Sequence, residues 1–215
     1  MGKYSPFFNI SLAEITEIRA CLCSKMKIYK KGDIIMQMTD NDSNLGLVEN
    51  GTAHLVRIDI DGNRSIMDYY ETGDIFGKKL SPQSEMDTYY IRAKEKCEIT
   101  FIDFDKLLSK CENNCNKHTK FLNNLLMITL QKSQMHIDVL SQRTTRAKLL
   151  TYFDYLSLHK ESNSFTLPLS LSDLADYLSV DRSAMMREIK RMKNENVVVA
   201  DSNKIILSKN NRYGF

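Results

Sequence analysis

At 215 residues the chain has room for one large or two small domains, and an apolar content of 42% excludes general disorder. A net charge of +3 does not mark a polyanion binder by itself. The cations are unevenly placed, however. Arg143, Arg146, Lys148, Arg182, Arg187, Lys190, Arg191, Lys193, Lys204, Lys209 and Arg212 crowd the last third, which puts any polyanionic partner at the C-terminal end. No apolar run is long enough to span a membrane, and the first nine residues lack the apolar core of a signal peptide. The five cysteines are odd in number and irregularly spaced, so they read as reduced thiols of a cytoplasmic protein.

In chain order, Ser11-Leu12-Ala13-Glu14 is a capping box that opens a short helix. Residues 26–102 have the texture of an all-β region. Gly32-Asp33, Asn50-Gly51, Asp61-Gly62 and Gly73-Asp74 punctuate it with turn signals. Residues 52–60 and 64–70 on either side of Asp61-Gly62 predict a hairpin, and repeated hairpins of this kind predict a small barrel or roll. Of the pairs Tyr69-Tyr70 and Tyr89-Tyr90, alternation predicts that one member of each faces inward, to fill the core or to line a small-molecule pocket. His54 shares a face with Val56, Ile58 and Ile60 and is expected to be a packed or rim histidine.

Residues 104–111 return to helix, and residues 116–142 form a long one. Its apolar stripe includes Phe121, Leu122, Leu125, Leu126, Met135, Val139 and Leu140. The stripe is wider than one neighbouring domain requires, so part of it is expected to pair with a second copy of the chain. Ser141 to Thr145 is a polar break, and Thr144 or Thr145 caps a further helix through Leu158.

Residues 170–192 carry the sharpest pattern, that of a helix-turn-helix. Ser170 and Asp173 make a capping box, and Leu171, Leu174, Ala175 and Leu178 form one apolar stripe in which the small Ala175 lets a second helix approach closely. Asp181 is a good N-cap for that second helix. Met185, Ile189 and Met192 face inward, while Arg182, Ser183, Met186, Arg187 and Lys190 fall on the opposite face. A cationic outer face on a helix anchored by its apolar stripe suits a DNA major groove, where Arg can bond twice to a guanine edge and Lys can neutralise phosphate. The plainer alternative is a solvated helical hairpin. Residues 196–199 and 204–207 flank Asp201-Ser202-Asn203 as a β-hairpin wing.

The order helix, β-roll, long helix, helix-turn-helix, wing resembles the cyclic-AMP receptor protein/fumarate-nitrate regulator (CRP/FNR) family of bacterial transcription factors. The residues that carry the resemblance are Val48-Glu49-Asn50-Gly51-Thr52-Ala53, the Asp61-Gly62 hairpin, Gly73-Asp74-Ile75-Phe76-Gly77, Ile91-Arg92-Ala93-Lys94, Cys97-Glu98-Ile99 and residues 180–192. The resemblance implies an α+β chain. Residues 1–112 would be a cyclic-nucleotide-binding-like sensor roll, 113–142 a dimerisation helix, and 143–215 a winged helix-turn-helix DNA-binding domain. It also implies a homodimer on a pseudo-palindromic double-stranded site, and RNA polymerase as a further partner if the protein activates transcription. Arg182, Ser183 and Arg187 would read bases; Ser170, Ser172 and Lys190 would hold phosphates; Met186 lies among them. The rival reading is a regulatory module that binds a small molecule or a protein and uses its winged helix as an interaction surface.

Family members that bind cyclic nucleotides carry, just after the equivalent of Gly77, a Glu for the ribose and an Arg-Ser pair for the phosphate. Here Lys78 stands in the Glu position, no Arg occurs between Gly77 and Ile91, Asp87 falls at the phosphate arginine, and Thr88 replaces the serine. A phosphodiester requires the forked donors of Arg, and a carboxylate there repels it. The cassette is therefore degenerate, and the chain is expected not to bind cyclic AMP, acting without ligand or on another signal. Iron–sulfur spacing is absent, because Cys21 and Cys23 are separated from Cys111 and Cys115 by the whole roll. Cys21 and Cys23 read as inert cysteines, with a redox thiol as the alternative. His118, His136 and His159 have no metal-ligand spacing. No metal, cofactor or catalytic residue is expected.

Overall fold

The computed structural model describes residues 6–22, 24–38, 44–77, 87–109 and 117–208. It divides into two compact units, Met1–Leu130 and Gln131–Phe215, with the boundary inside the long helix.

The first unit begins with α1 (Leu12–Cys21). Ser11 and Glu14 cap it reciprocally: the Glu14 N–H donates to the Ser11 hydroxyl at 3.3 Å, and the Ser11 N–H donates to the Glu14 carboxylate at 2.8 Å. Eight strands follow: β1 (Lys25–Tyr29), β2 (Ile34–Gln37), β3 (Asn44–Asn50), β4 (Ala53–Ile58), β5 (Arg64–Tyr70), β6 (Ile75–Gly77), β7 (Thr88–Ala93) and β8 (Cys97–Asp103). They form two four-stranded antiparallel sheets, ordered β1-β8-β3-β6 and β2-β7-β4-β5. α2 (Phe104–Leu108) and the first half of α3 (Lys117–Ser141) complete the unit.

Two apolar layers hold the roll. Between the sheets, Val48, Phe76 and Ile99 meet Met36, Leu55 and Ile91. On the other face of the first sheet, Leu45, Leu47 and Ile102 pack with Ile15 and Ile18 of α1 and with Phe121 and Leu125 of α3. Alternation along β3 explains the division, since its neighbouring side chains point to opposite faces. Gly46 lies opposite Phe76 in the ladder, and a Cβ there would sit 2.4 Å from the Phe76 ring. Gly51 turns β3 into β4 at φ 92°, where a Cβ would also meet the Lys96 carbonyl oxygen at 2.3 Å.

The hairpin read from Asp61-Gly62 is present as the β4–β5 pair. As expected, one tyrosine of each pair, Tyr70 and Tyr89, faces the layer between the sheets. Tyr70 belongs to the layer between the sheets and contacts Phe76, while Tyr69, one residue back, points away from that layer and is covered as well. His54 is packed, at 2% exposure.

The second unit continues α3 and adds α4 (Thr145–His159), β9 (Ser164–Thr166), α5 (Leu171–Tyr177), α6 (Arg182–Asn194), β10 (Val198–Asp201) and β11 (Lys204–Leu207). Thr144 caps α4 by accepting the Ala147 N–H at 3.1 Å. The wing read as a hairpin is a three-stranded sheet, ordered β10-β11-β9. Its third strand is only three residues long, too short to show a period in sequence. Among the described residues no helix is long and apolar enough to cross a membrane.

Candidate nucleic-acid interface

α5 and α6 form the helix-turn-helix. Ser170 accepts the Asp173 N–H at 3.3 Å and donates its hydroxyl to the Asp173 carboxylate at 2.6 Å, so the α5 cap is a closed local loop. α5 ends when Leu178 donates its N–H to the Leu174 carbonyl, and Ser179 turns the chain at φ 51°. Asn or Gly would be more usual at that angle, and the short serine side chain limits the strain. Asp181 then caps α6, its carboxylate accepting the Ala184 N–H at 2.7 Å.

The expected faces are realised. Met185, Ile189 and Met192 are buried and, with Leu174, Ala175 and Leu178 of the preceding segment, anchor the pair of helices; Leu171 is only half-buried. Burying a side chain of this size contributes about 1.5–3 kcal/mol. Arg182, Ser183, Met186, Arg187 and Lys190 are exposed on the outer face, and Met186 is 40% exposed. Ser170 and Ser172 are half-buried at the start of α5.

The cations of this unit divide into two sets. One set is committed to scaffolding. Arg146 of α4 reaches Glu188 at 3.2 Å and Glu195 at 2.6 Å, fixing α6 along its length. Arg191 also meets Glu195, at 3.2 Å. Lys148 donates to the Leu178 carbonyl at 2.9 Å, at the turn itself. The hydrogen bond from Arg146 holds the Glu195 carboxyl below its usual range, and the same bond raises the Arg146 guanidinium above its own. The other set is uncommitted: among the described residues no hydrogen bond or ion pair engages Arg182, Arg187 or Lys190. His136, on the α3 segment of this unit, stacks on Tyr177 with ring centroids 4.0 Å apart and 8° between planes, and donates from Nε2 to the Tyr177 carbonyl at 3.0 Å. Sequence reading missed Arg146, Lys148 and His136 as anchors, because each acts on a partner some thirty to fifty residues away.

In the roll, Gly77 ends β6 where a Cβ would lie 2.8 Å from the Leu45 side chain, so a larger residue is sterically refused. Lys78 lies outside the described residues, as do Cys23, Cys111 and Cys115. Thr88 is exposed at the start of β7, opposite Ile58. Asp87 has company that the sequence did not reveal. Its carboxylate lies 3.7 Å from Nε of Arg57 and 3.5 Å from the Tyr89 hydroxyl. The interval between Gly77 and Ile91 holds no arginine, but strand pairing brings one in from β4, since Arg57 sits opposite Tyr89. Among the described residues no group of His, Cys, Asp and Glu is arranged to hold a metal ion.

Comparison with known proteins agrees with this architecture. Residues 26–114 match the cyclic nucleotide-binding domain family. The nitrogen fixation regulation protein FixK of Bradyrhizobium diazoefficiens is 21% identical over 175 residues, covering 79% of this chain and 72% of the relative. The structure of FixK2 from Bradyrhizobium japonicum matches with a TM-score of 0.66 at 17% identity, covering 88% of this chain and 94% of that one. The c-di-GMP-responsive global regulator CLP of Xanthomonas campestris matches with a TM-score of 0.66 at 17% identity, covering 92% of this chain and 99% of that one. Residues 26–114 thus carry a domain of the cyclic nucleotide-binding family, and the order of roll, long helix and helix-turn-helix is similar to that of these regulators.

Proposed function

We propose that this protein is a homodimeric, sequence-specific DNA-binding transcription regulator of the cytoplasm that works without cyclic AMP. The observation that carries the reading is the split among the cations. Arg146, Lys148 and Arg191 are spent on holding α6 and its turn, while Arg182, Arg187 and Lys190 stand exposed and unengaged on its outer face. A scaffold that satisfies its own charges and leaves a cationic stripe free is suited to a polyanion.

In this reading Arg182, Ser183 and Arg187 read base edges in the major groove. Met186 offers an apolar contact of the kind a thymine methyl accepts. Lys190, Ser172 and Ser170 approach phosphates, Ser170 through a hydroxyl already shared with its helix cap. Residues 113–142 pair two copies. Leu126, Leu130, Ile137 and Leu140 of α3 are all exposed, and their spacings of four, seven and three residues follow a coiled-coil seam. Two recognition helices on one dimer then demand a pseudo-palindromic site with half-sites about one helical turn apart. Residues 1–112 set the geometry of the pair, and residues 143–215 bind DNA. A signal would act by shifting the population of dimers whose spacing fits. An activator of this form would also touch RNA polymerase.

The test is selection of a site from random double-stranded DNA, followed by anisotropy titration with the whole protein and with R182A. Selection of a palindromic site that R182A binds more weakly supports the reading. Enrichment of no sequence, or equal binding by R182A, favours a winged helix that serves as a protein-interaction surface.

A further inference from the structure

The roll carries an unused donor beside a charge pair. Arg57 lies on β4 and Asp87 immediately precedes β7, in strands whose register sets Arg57 opposite Tyr89 and Ile58 opposite Thr88. The side chains are 34% and 20% exposed, so the pair is shielded on most sides. The Asp87 carboxylate neutralises the guanidinium from 3.7 Å, a distance too long for a hydrogen bond. Nε of Arg57 is itself buried, and among the described residues it makes no hydrogen bond. The Tyr89 hydroxyl, donating towards the same carboxylate at 3.5 Å, stands at the limit of bonding distance. The cation is thus balanced in charge and unspent in hydrogen bonding.

An arginine in that condition is matched to a small oxyanion. The guanidinium fork satisfies two oxygens at once when the geometry is good, and a buried N–H without an acceptor leaves binding capacity idle. A free phosphate or phosphodiester cannot use that capacity while the carboxylate is in place, because two anions would share a partly desolvated site. We propose that Arg57 is a latent oxyanion-binding residue of the roll and that Asp87 is its resident occupant, so that the chain supplies for itself the negative charge a ligand would otherwise bring. The inference rests on the reading that the roll needs no nucleotide and gives that reading a physical cause.

The test uses the full chain, D87N and the double variant R57Q/D87N, each melted across a series of inorganic phosphate concentrations and, separately, of cyclic AMP. Asparagine keeps the shape of Asp87 and removes its charge. The cations of α6 also attract phosphate, so the difference between D87N and the double variant is the readout. D87N is expected to bind phosphate about tenfold more tightly than the double variant, the gain of one charge-assisted contact. The unsubstituted chain is expected to match the double variant. A D87N no more responsive than the double variant overturns the proposal, and so does an unsubstituted chain as responsive as D87N. If D87N does not fold, the Nε–H resonance of Arg57 in the unsubstituted chain, assigned by its loss in R57K, decides the matter. A resonance unmoved by phosphate upholds an occupied site; one that shifts overturns it. DNA affinity of the unsubstituted chain, measured in the same buffers, judges the regulatory reading separately.

Discussion

Arg182 and Arg191 lie nine residues apart on α6 and differ in role, if not in chemistry. Both are exposed arginines of α6, but Arg191 bonds Glu195 and Arg182 bonds nothing among the described residues. Replacing Arg182 by Ala should therefore cost about 1–3 kcal/mol of specific DNA affinity and relax preference at one base, read by anisotropy on single-base variants of the selected site. Gly46 makes a second residue-scale prediction. A Cβ there would lie 2.4 Å from the Phe76 ring in the middle of the roll, so Gly46→Ala should destabilise by about 1–3 kcal/mol in a urea melt, the usual cost of overpacking. Much at this scale was legible in the sequence. Asp181, Met185, Ile189 and Met192 identify the cap and the buried face of α6 because helical spacing and capping are local rules. Arg57 was not legible as the neighbour of Asp87. Thirty residues separate them, and only strand register joins them.

Arg146 ties α4 to α6, and the tie is sensitive to acid. Glu195 has its carboxyl held down by the Arg146 hydrogen bond, so its contribution is complete above the ordinary glutamate range and is lost as the pH falls through the lowered folded value. Thermal melts of the chain should therefore lose stability on acidification through that window. R146A should lower the melting temperature by a few degrees at neutral pH and flatten the acid limb; an acid limb of unchanged steepness would mean that this pair does not govern it. α3 makes its own prediction. Leu130 is 56% exposed in the seam proposed to pair two copies, so Leu130→Glu should convert the proposed dimer into monomers in sedimentation velocity while leaving the far-ultraviolet circular dichroism intact. The helix itself was plain in the sequence, from an apolar stripe broader than one neighbour needs. The third strand of the wing was not, since Ser164-Phe165-Thr166 is too short to show alternation and gains its identity only from pairing with β11.

At the scale of the whole molecule, a domain of the cyclic nucleotide-binding family stands in one chain with a helix-turn-helix in which Arg182, Arg187 and Lys190 make no hydrogen bond or ion pair among the described residues. The order of elements was readable from turn signals and periodicity, because each is set within a few residues. The state of the roll was readable only in part. The resemblance implies a carboxylate, Asp87, at the position of the phosphate-binding arginine, and the structure sets Arg57 of β4 beside it at 3.7 Å. The proposed function, DNA binding that does not wait for cyclic AMP, rests on both. The most direct measurement is an anisotropy titration of the purified protein on its selected site, without ligand and with saturating cyclic AMP, across a salt series. The account predicts tight, site-specific binding in both conditions with the same affinity and the same salt slope. Binding that appears or tightens only with the nucleotide would contradict it.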